Sequence, residues 1–252
     1  MNAYNISIQQ LHNTTSTNDY LLQMAMPPKD EIVVAVAKYQ SAGRGQGSKT
    51  WESEAGKNLL CSILTARPTV PATEQFVLSM AGALALKATL DAYCDDITLK
   101  WPNDIYWRNQ KISGTLIETT LRGKSIERCV YGIGLNINQQ VFRSDAPNPV
   151  SLRNIIGHDT PLSEVLQSLL KHFAHYYALA TGGKTASVAQ QYNAALYRRN
   201  GWHKYADADT GEVFMAQINH VDSHGMLHLD TADGRQRTYT LKQVRFVLTE
   251  QQ

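Results

Sequence analysis

Residues 97–137 read ITLKWPNDIYWRNQKISGTLIETTLRGKSIERCVYGIGLNI, and the order of apolar runs and turns within them decides the fold. Residues 97–107 are two strand pieces joined by a Pro102-Asn103-Asp104 kink, because proline cannot donate to a strand ladder and marks a bend or bulge. Arg108-Asn109-Gln110 supplies a turn, Lys111-Ile112-Ser113-Gly114 leads into a strand over 115–121, and Arg122-Gly123-Lys124 returns the chain into 129–137. Turns this short cannot hold a parallel crossover, so the sheet is expected to be mainly antiparallel rather than doubly wound. Gly132 and Gly134 mark a place in the last strand where a ligand or another backbone comes close.

Upstream, 32–37 and 58–64 are apolar runs that read as buried strands, and between them lies YQSAGRGQGSKTW at 39–51. Gly43, Gly45 and Gly47 alternate there around Arg44, with Lys49 following; such a loop is either a mobile flap over an anion or a flexible turn with solvated charges. Ser16 and Asp19 fit a capping pattern that starts a short helix over 20–25, ended by Pro27 and Pro28. Pro68 and Pro71 bracket a turn, and the apolar spacing over 73–93 predicts a long, largely buried helix. Residues 138–160 read as irregular. Thr160 as N-cap and Pro161 at the first helical position open a helix that Gly182-Gly183 ends, and a further helix covers 186–198. Short strands at 212–219, 226–230, 236–241 and 244–248 then suggest a small barrel, with a boundary near 195–201 dividing 1–197 from 198–252.

The chain has 252 residues, 43% hydrophobic and 18% charged, with a formal net charge of +2. That is ordinary for a soluble globular protein, and so small a net charge gives little reason to expect non-specific nucleic-acid binding. No apolar run approaches the roughly 20 residues that span a bilayer, and the first residues lack a secretory pattern. Cys61, Cys94 and Cys129 read as reduced, packed thiols, so a cytoplasmic protein is expected.

Lys100 and Lys111 interrupt or abut apolar strand sequence, where a lysine needs a partner or a solvated tip. With Asn103 and Asp104 they form a set suited to a nucleotide: ammonium groups for phosphates, a carboxylate for Mg2+ or an amine, an amide for polar atoms. The glycine loop is not a P-loop, because Ser48 stands where the second glycine belongs and a strand rather than a helix follows. His220, His224 and His228 are four apart but straddle a turn, and structural zinc is not expected without paired cysteines. No G-x-S-x-G elbow is present.

Taken together, STN at 16–18, YQSAGRGQGSKTW at 39–51, KWPNDIYW at 100–107, KISG at 111–114 and GIGLNIN at 132–138 resemble the biotin–protein ligases in order and spacing. The resemblance implies a class II synthetase-like catalytic domain with a mixed α/β sheet and a C-terminal SH3-like barrel. It implies ATP-dependent biotinylation of a lysine on a biotin carboxyl carrier domain through biotinyl-5′-AMP, with Mg2+. By family position Ser16, Thr17, Asn18 and Gln40 line the biotin ureido pocket. Gly43, Arg44, Gly45 and Gln46 belong to the closing loop, and Gly114 adjoins biotin. Lys111 bridges the biotin carboxylate and the α-phosphate, and is the leading catalytic residue with Arg44 and Asp104. Asn103 and Asp104 serve Mg2+–phosphate or the incoming amine, Lys49 adds charge on the ATP side, Trp51 packs on adenine and Asn136 reads it.

Many relatives carry a second arginine where this chain has Gln46, and Gly47-Ser48-Lys49 also departs from the commoner ending. The STN motif is reached by residue 16, leaving no room for a DNA-binding helix-turn-helix, so a ligase without repressor role or DNA partner is expected. A sheet edge in this fold could pair two subunits. The related activity is lipoate or octanoate transfer; a non-catalytic binding module is the reading from another class.

Overall fold

Three long strands carry the molecule: β3 (Leu59–Ala66), β7 (Ser125–Leu135) and β6 (Gln110–Arg122), paired antiparallel with β7 in the middle. In the computed structural model, which describes residues 4–47, 49–144 and 146–247, they lie at the centre of a seven-stranded sheet. On one side β6 pairs β5 (Asp104–Trp107), which pairs β4 (Ile97–Lys100). On the other side β3 pairs β2 (Glu31–Gln40), which pairs β1 (Asn5–Thr14). Every neighbouring pair is antiparallel except β1–β2, where a short helix α1 (Thr17–Leu22) makes the crossover. The mixed, mainly antiparallel sheet is as the turns of 97–137 require.

Alternation along these strands gives the sheet two unlike faces. Ile63, Tyr131 and Ile133 point to the face covered by helices α2 (Phe76–Leu90) and α4 (Leu162–Thr181) and are essentially unexposed. Helix α2 is buried almost all round, as expected of a helix held between a sheet and a second helix. Its Gly82 lets the helix lie against the Tyr131 ring, which packs edge-on against Phe173 of α4 with centroids 4.9 Å apart. A fully buried side chain of this kind contributes about 1.5–3 kcal/mol. The opposite face carries the register rows Ser62–Gly132–Leu116 and Leu60–Gly134–Gly114. These rows are left open for a site.

Helix α5 (Thr185–Ala194) leads to a second, antiparallel sheet of five strands: β8 (His203–Asp207), β9 (Val213–Val221), β10 (Leu227–Thr231), β11 (Gln236–Tyr239) and β12 (Val244–Phe246), ordered β11-β10-β9-β8-β12. One apolar cluster runs without a break from Tyr131 and Phe173 through Tyr192 of α5 to Tyr205, Ile218 and Leu229. The Trp101 indole N–H donates to the Gly225 carbonyl at 3.0 Å, and Asn193 exchanges two hydrogen bonds with the Val221 backbone. Among the described residues no helix is long and apolar enough to cross a membrane.

Several local expectations need correction. Strand β1 was not foreseen, because Ile6 and Ile8 point outward while Ser7 and Gln9 are half-buried, the reverse of the usual alternation. Strand β8 and the helix α3 (Leu152–Ile156) were also missed; the latter is a single capped turn within the stretch read as irregular. Helix α1 stops at Leu22, well before the prolines, with Ser16 capping it as expected. Pro161, not Thr160, occupies the N-cap of α4, and the Thr160 hydroxyl is buried without a partner. Helix α5 ends at Ala194 rather than continuing to 198, and Lys111 already lies within β6. The turn that separates the three histidines brings two of them together: His220 and His228 are cross-strand partners whose rings stack 4.2 Å apart. Ser48 and Leu248 lie outside the described residues.

Gly225 tests how tightly the second sheet is seated. It has φ +86, and a Cβ there would lie 2.6 Å from Cδ2 of Phe76. Gly225→Ala is therefore expected to destabilise the protein by about 2 kcal/mol or more through strain and overpacking. The check is a melting temperature lowered by roughly 5 °C.

Candidate active site

The open sheet face forms the floor of a cleft of about 680 Å³. Gly132 and Gly134 leave that floor bare. A Cβ at Gly132 would lie 2.3 Å from Oδ1 of Asn18, and one at Gly134 would lie 2.3 Å from Cε2 of Trp51. The close approach expected at these glycines is thus made by two side chains of the site itself.

At one end, α1 presents its N-terminus to the floor. Gln40 Oε1 accepts from the Thr17 backbone N–H at 2.7 Å and from its hydroxyl at 3.0 Å. The Ser62 hydroxyl lies 2.6 Å from Thr17 Oγ1 and 2.5 Å from Asn18 Oδ1. The Asn18 amide donates to Glu118 Oε2 at 2.7 Å. Ser16, Thr17, Asn18 and Ser62 are all buried. This end is polar and held rigid by its own hydrogen bonds, with the Glu118 carboxylate behind the Asn18 amide.

The 43–51 segment folds back on itself as a narrow hairpin. Trp51 N–H donates to Gly43 O at 3.0 Å and Gly45 N–H to Lys49 O at 2.7 Å, bonds that tie its two arms together. Arg44 does not point at an open anion site. Its guanidinium is held by Asp19 at 2.6 Å and by Glu118 at 2.9 and 3.2 Å, because α1 and β6 bring two carboxylates under the loop.

Towards the other end stand the cations. Lys111 Nζ is 2.6 Å from Asp104 Oδ1 and 5.7 Å from the centre of the Trp51 ring. The bulge in the β5–β6 pairing between Ile105 and Tyr106 sets Lys111 opposite Tyr106, while Asp104 pairs with Gly114. Lys100 Nζ sits 5.0 Å from the Tyr106 ring centre and 5.2 Å from that of Phe246. Burial lowers the Lys100 ammonium pKa; the Asp104 carboxylate opposes this and Lys111 adds to it. Asn103 Nδ2 donates to Thr115 O, fixing the kink that carries Asp104. Asn136 is buried; its amide N–H donates to Val150 O while its Oδ1 has no partner.

Ser16, Thr17, Asn18, Gln40, Arg44, Gly45, Gln46, Lys49, Trp51, Asn103, Asp104, Lys111, Gly114 and Asn136 all line this one cleft. Gly43 does not; it pairs with Trp51 at the base of the hairpin, where a Cβ would meet the Trp51 carbonyl at 3.0 Å. Sequence reasoning missed Ser62, Glu118, Asp19 and Glu52. Of these only Glu118 carried a signal, a carboxylate in the middle of an apolar strand.

Residues 11–136 match the model of the biotin/lipoate A/B protein ligase family. The chain is 30% identical over 223 residues to a biotin–[acetyl-CoA-carboxylase] ligase of Paracoccus denitrificans, covering 86% of this chain and 87% of that protein. The chain belongs to the biotin/lipoate A/B protein ligases. A bifunctional ligase/repressor of Bacillus spizizenii is 29% identical over 233 residues, which are 90% of this chain and 70% of that protein. The fold matches a biotin protein ligase of Aquifex aeolicus, solved in complex with biotin and ATP, with TM-score 0.77 at 21% identity over 95% of this chain and 99% of that one.

In this ligase the carboxylate of Glu52, next to Trp51, grips the far wall of the cleft. It accepts from the backbone N–H groups of Arg143 at 2.9 Å and Ser144 at 2.7 Å, and from the Gln139 amide at 3.3 Å. Burial alone would raise the Glu52 carboxyl pKa, but bonds from Ser144, Arg143 and Gln139 outweigh it and hold the pKa below the usual value. A pKa depressed by folding stabilises the protein above the unfolded pKa, and the effect is lost as pH falls through the folded one. Glu52→Gln should therefore lower the melting temperature at pH 7, with the gap to the parent closing as the pH drops below the ordinary glutamate range. Thermal scans across that range check it.

Proposed function

We propose that the chain joins biotin to a lysine of a biotin carboxyl carrier domain, using ATP and passing through biotinyl-5′-AMP. In the first step a biotin carboxylate oxygen attacks the α-phosphorus of ATP; the P–O bond to the β-phosphate breaks and diphosphate leaves. In the second step the neutral ε-amine of the acceptor lysine attacks the acyl carbon. The amide forms, AMP departs with the bonding pair, and the amine loses a proton.

The observation that carries this reading is one cleft with a cluster of hydrogen-bonding groups at one end and Lys111, beside Asp104 and Lys100, at the other. A ureido head placed on Thr17, Asn18 and Gln40 directs the carboxylate tail towards the Lys111 ammonium, which also faces the incoming phosphate. Two anions must meet there, and preorganised positive charge is the means of lowering that barrier. The unpartnered Asn136 oxygen is suited to accept from the adenine amino group, and the Trp51 ring offers a stacking face. Arg44 then serves through its hairpin more than through direct contact with phosphate, leaving Lys49, Lys100, Lys111 and Arg143 as the other cations of the cleft lining.

Mg2+ binds through one or two carboxylates together with substrate phosphates, and supplies charge neutralisation to the diphosphate leaving group. Asp104 fits that modest demand, with Asn103 beside it. Among the described residues no group of three or more His, Cys, Asp and Glu forms a dedicated metal cage. All cleft-lining residues fall between 16 and 149, which supports 1–197 as the catalytic unit and 198–252 as a small SH3-like barrel. The outer edge of β1, with Ile6 and Ile8 exposed, is the surface we assign to a homodimer.

Incubation with biotin, Mg-ATP and a carrier domain should give biotinylated carrier; an unmodified carrier refutes the proposal, and tighter calorimetric binding of lipoate than biotin moves it to lipoate transfer. Lys111→Ala should cut adenylate formation by about 100-fold or more, read as diphosphate release.

A further inference from the structure

Glu118 stands where two parts of the cleft with different duties meet. Its Oε2 receives the Asn18 amide at 2.7 Å and the Arg44 guanidinium at 2.9 Å, and its Oε1 receives Arg44 again at 3.2 Å. Asn18 belongs to the polar end beneath α1, whereas Arg44 lies at the base of the 43–51 hairpin, bridged to Thr50. One carboxylate therefore ties the flap to the head-group end of the cleft.

The two partners are not equally free to move. Glu118 sits on β6 in register with Val130 of the central strand, so the sheet fixes its backbone. Arg44 rides on a loop in which, among the described residues, backbone bonds join the hairpin to itself, apart from the two at its entrance from Ser41 and Ala42 to Thr14 and Thr15. Asp19 Oδ1 accepts at 2.6 Å from Nη2, the same guanidinium nitrogen that donates to Glu118 Oε2. A lone exposed ion pair contributes little, but two carboxylates on one guanidinium with an amide sharing an oxygen form a network of defined geometry.

We infer that Glu118 is a positioning residue that latches the 43–51 flap through Arg44 while orienting the Asn18 amide, with Asp19 as the second post of the latch. The orienting half of this assignment rests on the biotin reading of the cleft; the latching half does not. The latch also gives this end an excess of negative charge, since two carboxylates face one guanidinium. An acyl substrate is thereby favoured with its neutral head here and its carboxylate at the Lys111 end.

The experiment uses the full chain in three forms: parent, Glu118→Gln and Asp19→Asn. Without ligand, trypsin cleavage after Arg44 is timed by mass spectrometry. We expect cleavage about fivefold faster in Glu118→Gln, and a smaller gain in Asp19→Asn. Raising the salt should speed cleavage of the parent towards the Glu118→Gln rate, because screening weakens the same contacts. With biotin and Mg-ATP, Glu118→Gln should raise the KM for biotin about fivefold while kcat for diphosphate release stays within about twofold. Equal cleavage rates in parent and Glu118→Gln overturn the latch. A lowered kcat at unchanged KM overturns the orienting role, since that is the signature of lost active protein. A parent that releases no diphosphate refutes the biotin reading, and the ligand-free cleavage rates still decide the latch.

Discussion

The missing side chains of Gly132 and Gly134 are the constraint on which the site depends. They lie two apart on the central strand, so both empty positions open on the same face, while Tyr131 and Ile133 between and beside them fill the opposite one. The same strand thus anchors the core under α2 and α4 and provides a floor low enough for Asn18 and Trp51 to lie flat upon it. Any β-carbon there would lift one or the other, and with it either α1 or the end of the hairpin.

The rest of the cleft is arranged by charge. Asp19 and Glu118 occupy the end where α1 packs, and they consume the guanidinium of Arg44. Lys100 and Lys111 occupy the other end, kept near one another by Asp104 between them. Lys100 is drawn in further by the faces of Tyr106 and Phe246, the second of which comes from the five-stranded sheet. That sheet is therefore more than an appendage: it shapes the surroundings of a cleft cation while sharing one apolar core with the rest.

Much of this was legible in the sequence for reasons that are local. The turns at Arg108-Asn109-Gln110 and Arg122-Gly123-Lys124 are too short for anything but antiparallel returns, and the strands beside them pair that way, starting about four residues earlier than read. The motif residues converge because they fall at strand ends and turns around one floor. What stayed hidden depended on partners distant in the chain. Strand β1 shows its isoleucines to solvent and its polar residues to the protein, a pattern that has meaning only beside β2, where Ser7 bonds Glu31. Ser62 is one of two small polar residues in a mostly apolar strand, and Glu52 one acid in a charged loop. Neither is marked until Asn18 or the Arg143 backbone arrives from elsewhere. Arg44 illustrates the reverse case: its chemistry suggested an anion, but which anion was a matter of tertiary neighbours.

Ser62 has a consequence that follows from counting protons. Its hydroxyl has one to give, yet both Thr17 Oγ1 and Asn18 Oδ1 lie within reach, and the Thr17 proton is directed to Gln40. The cluster is one donor short. A guest bearing N–H groups makes up the deficit, whereas a guest with only lone pairs deepens it. In the biotin reading proposed above, the ureido N–H groups supply that hydrogen, which a carboxylate or an ether would not.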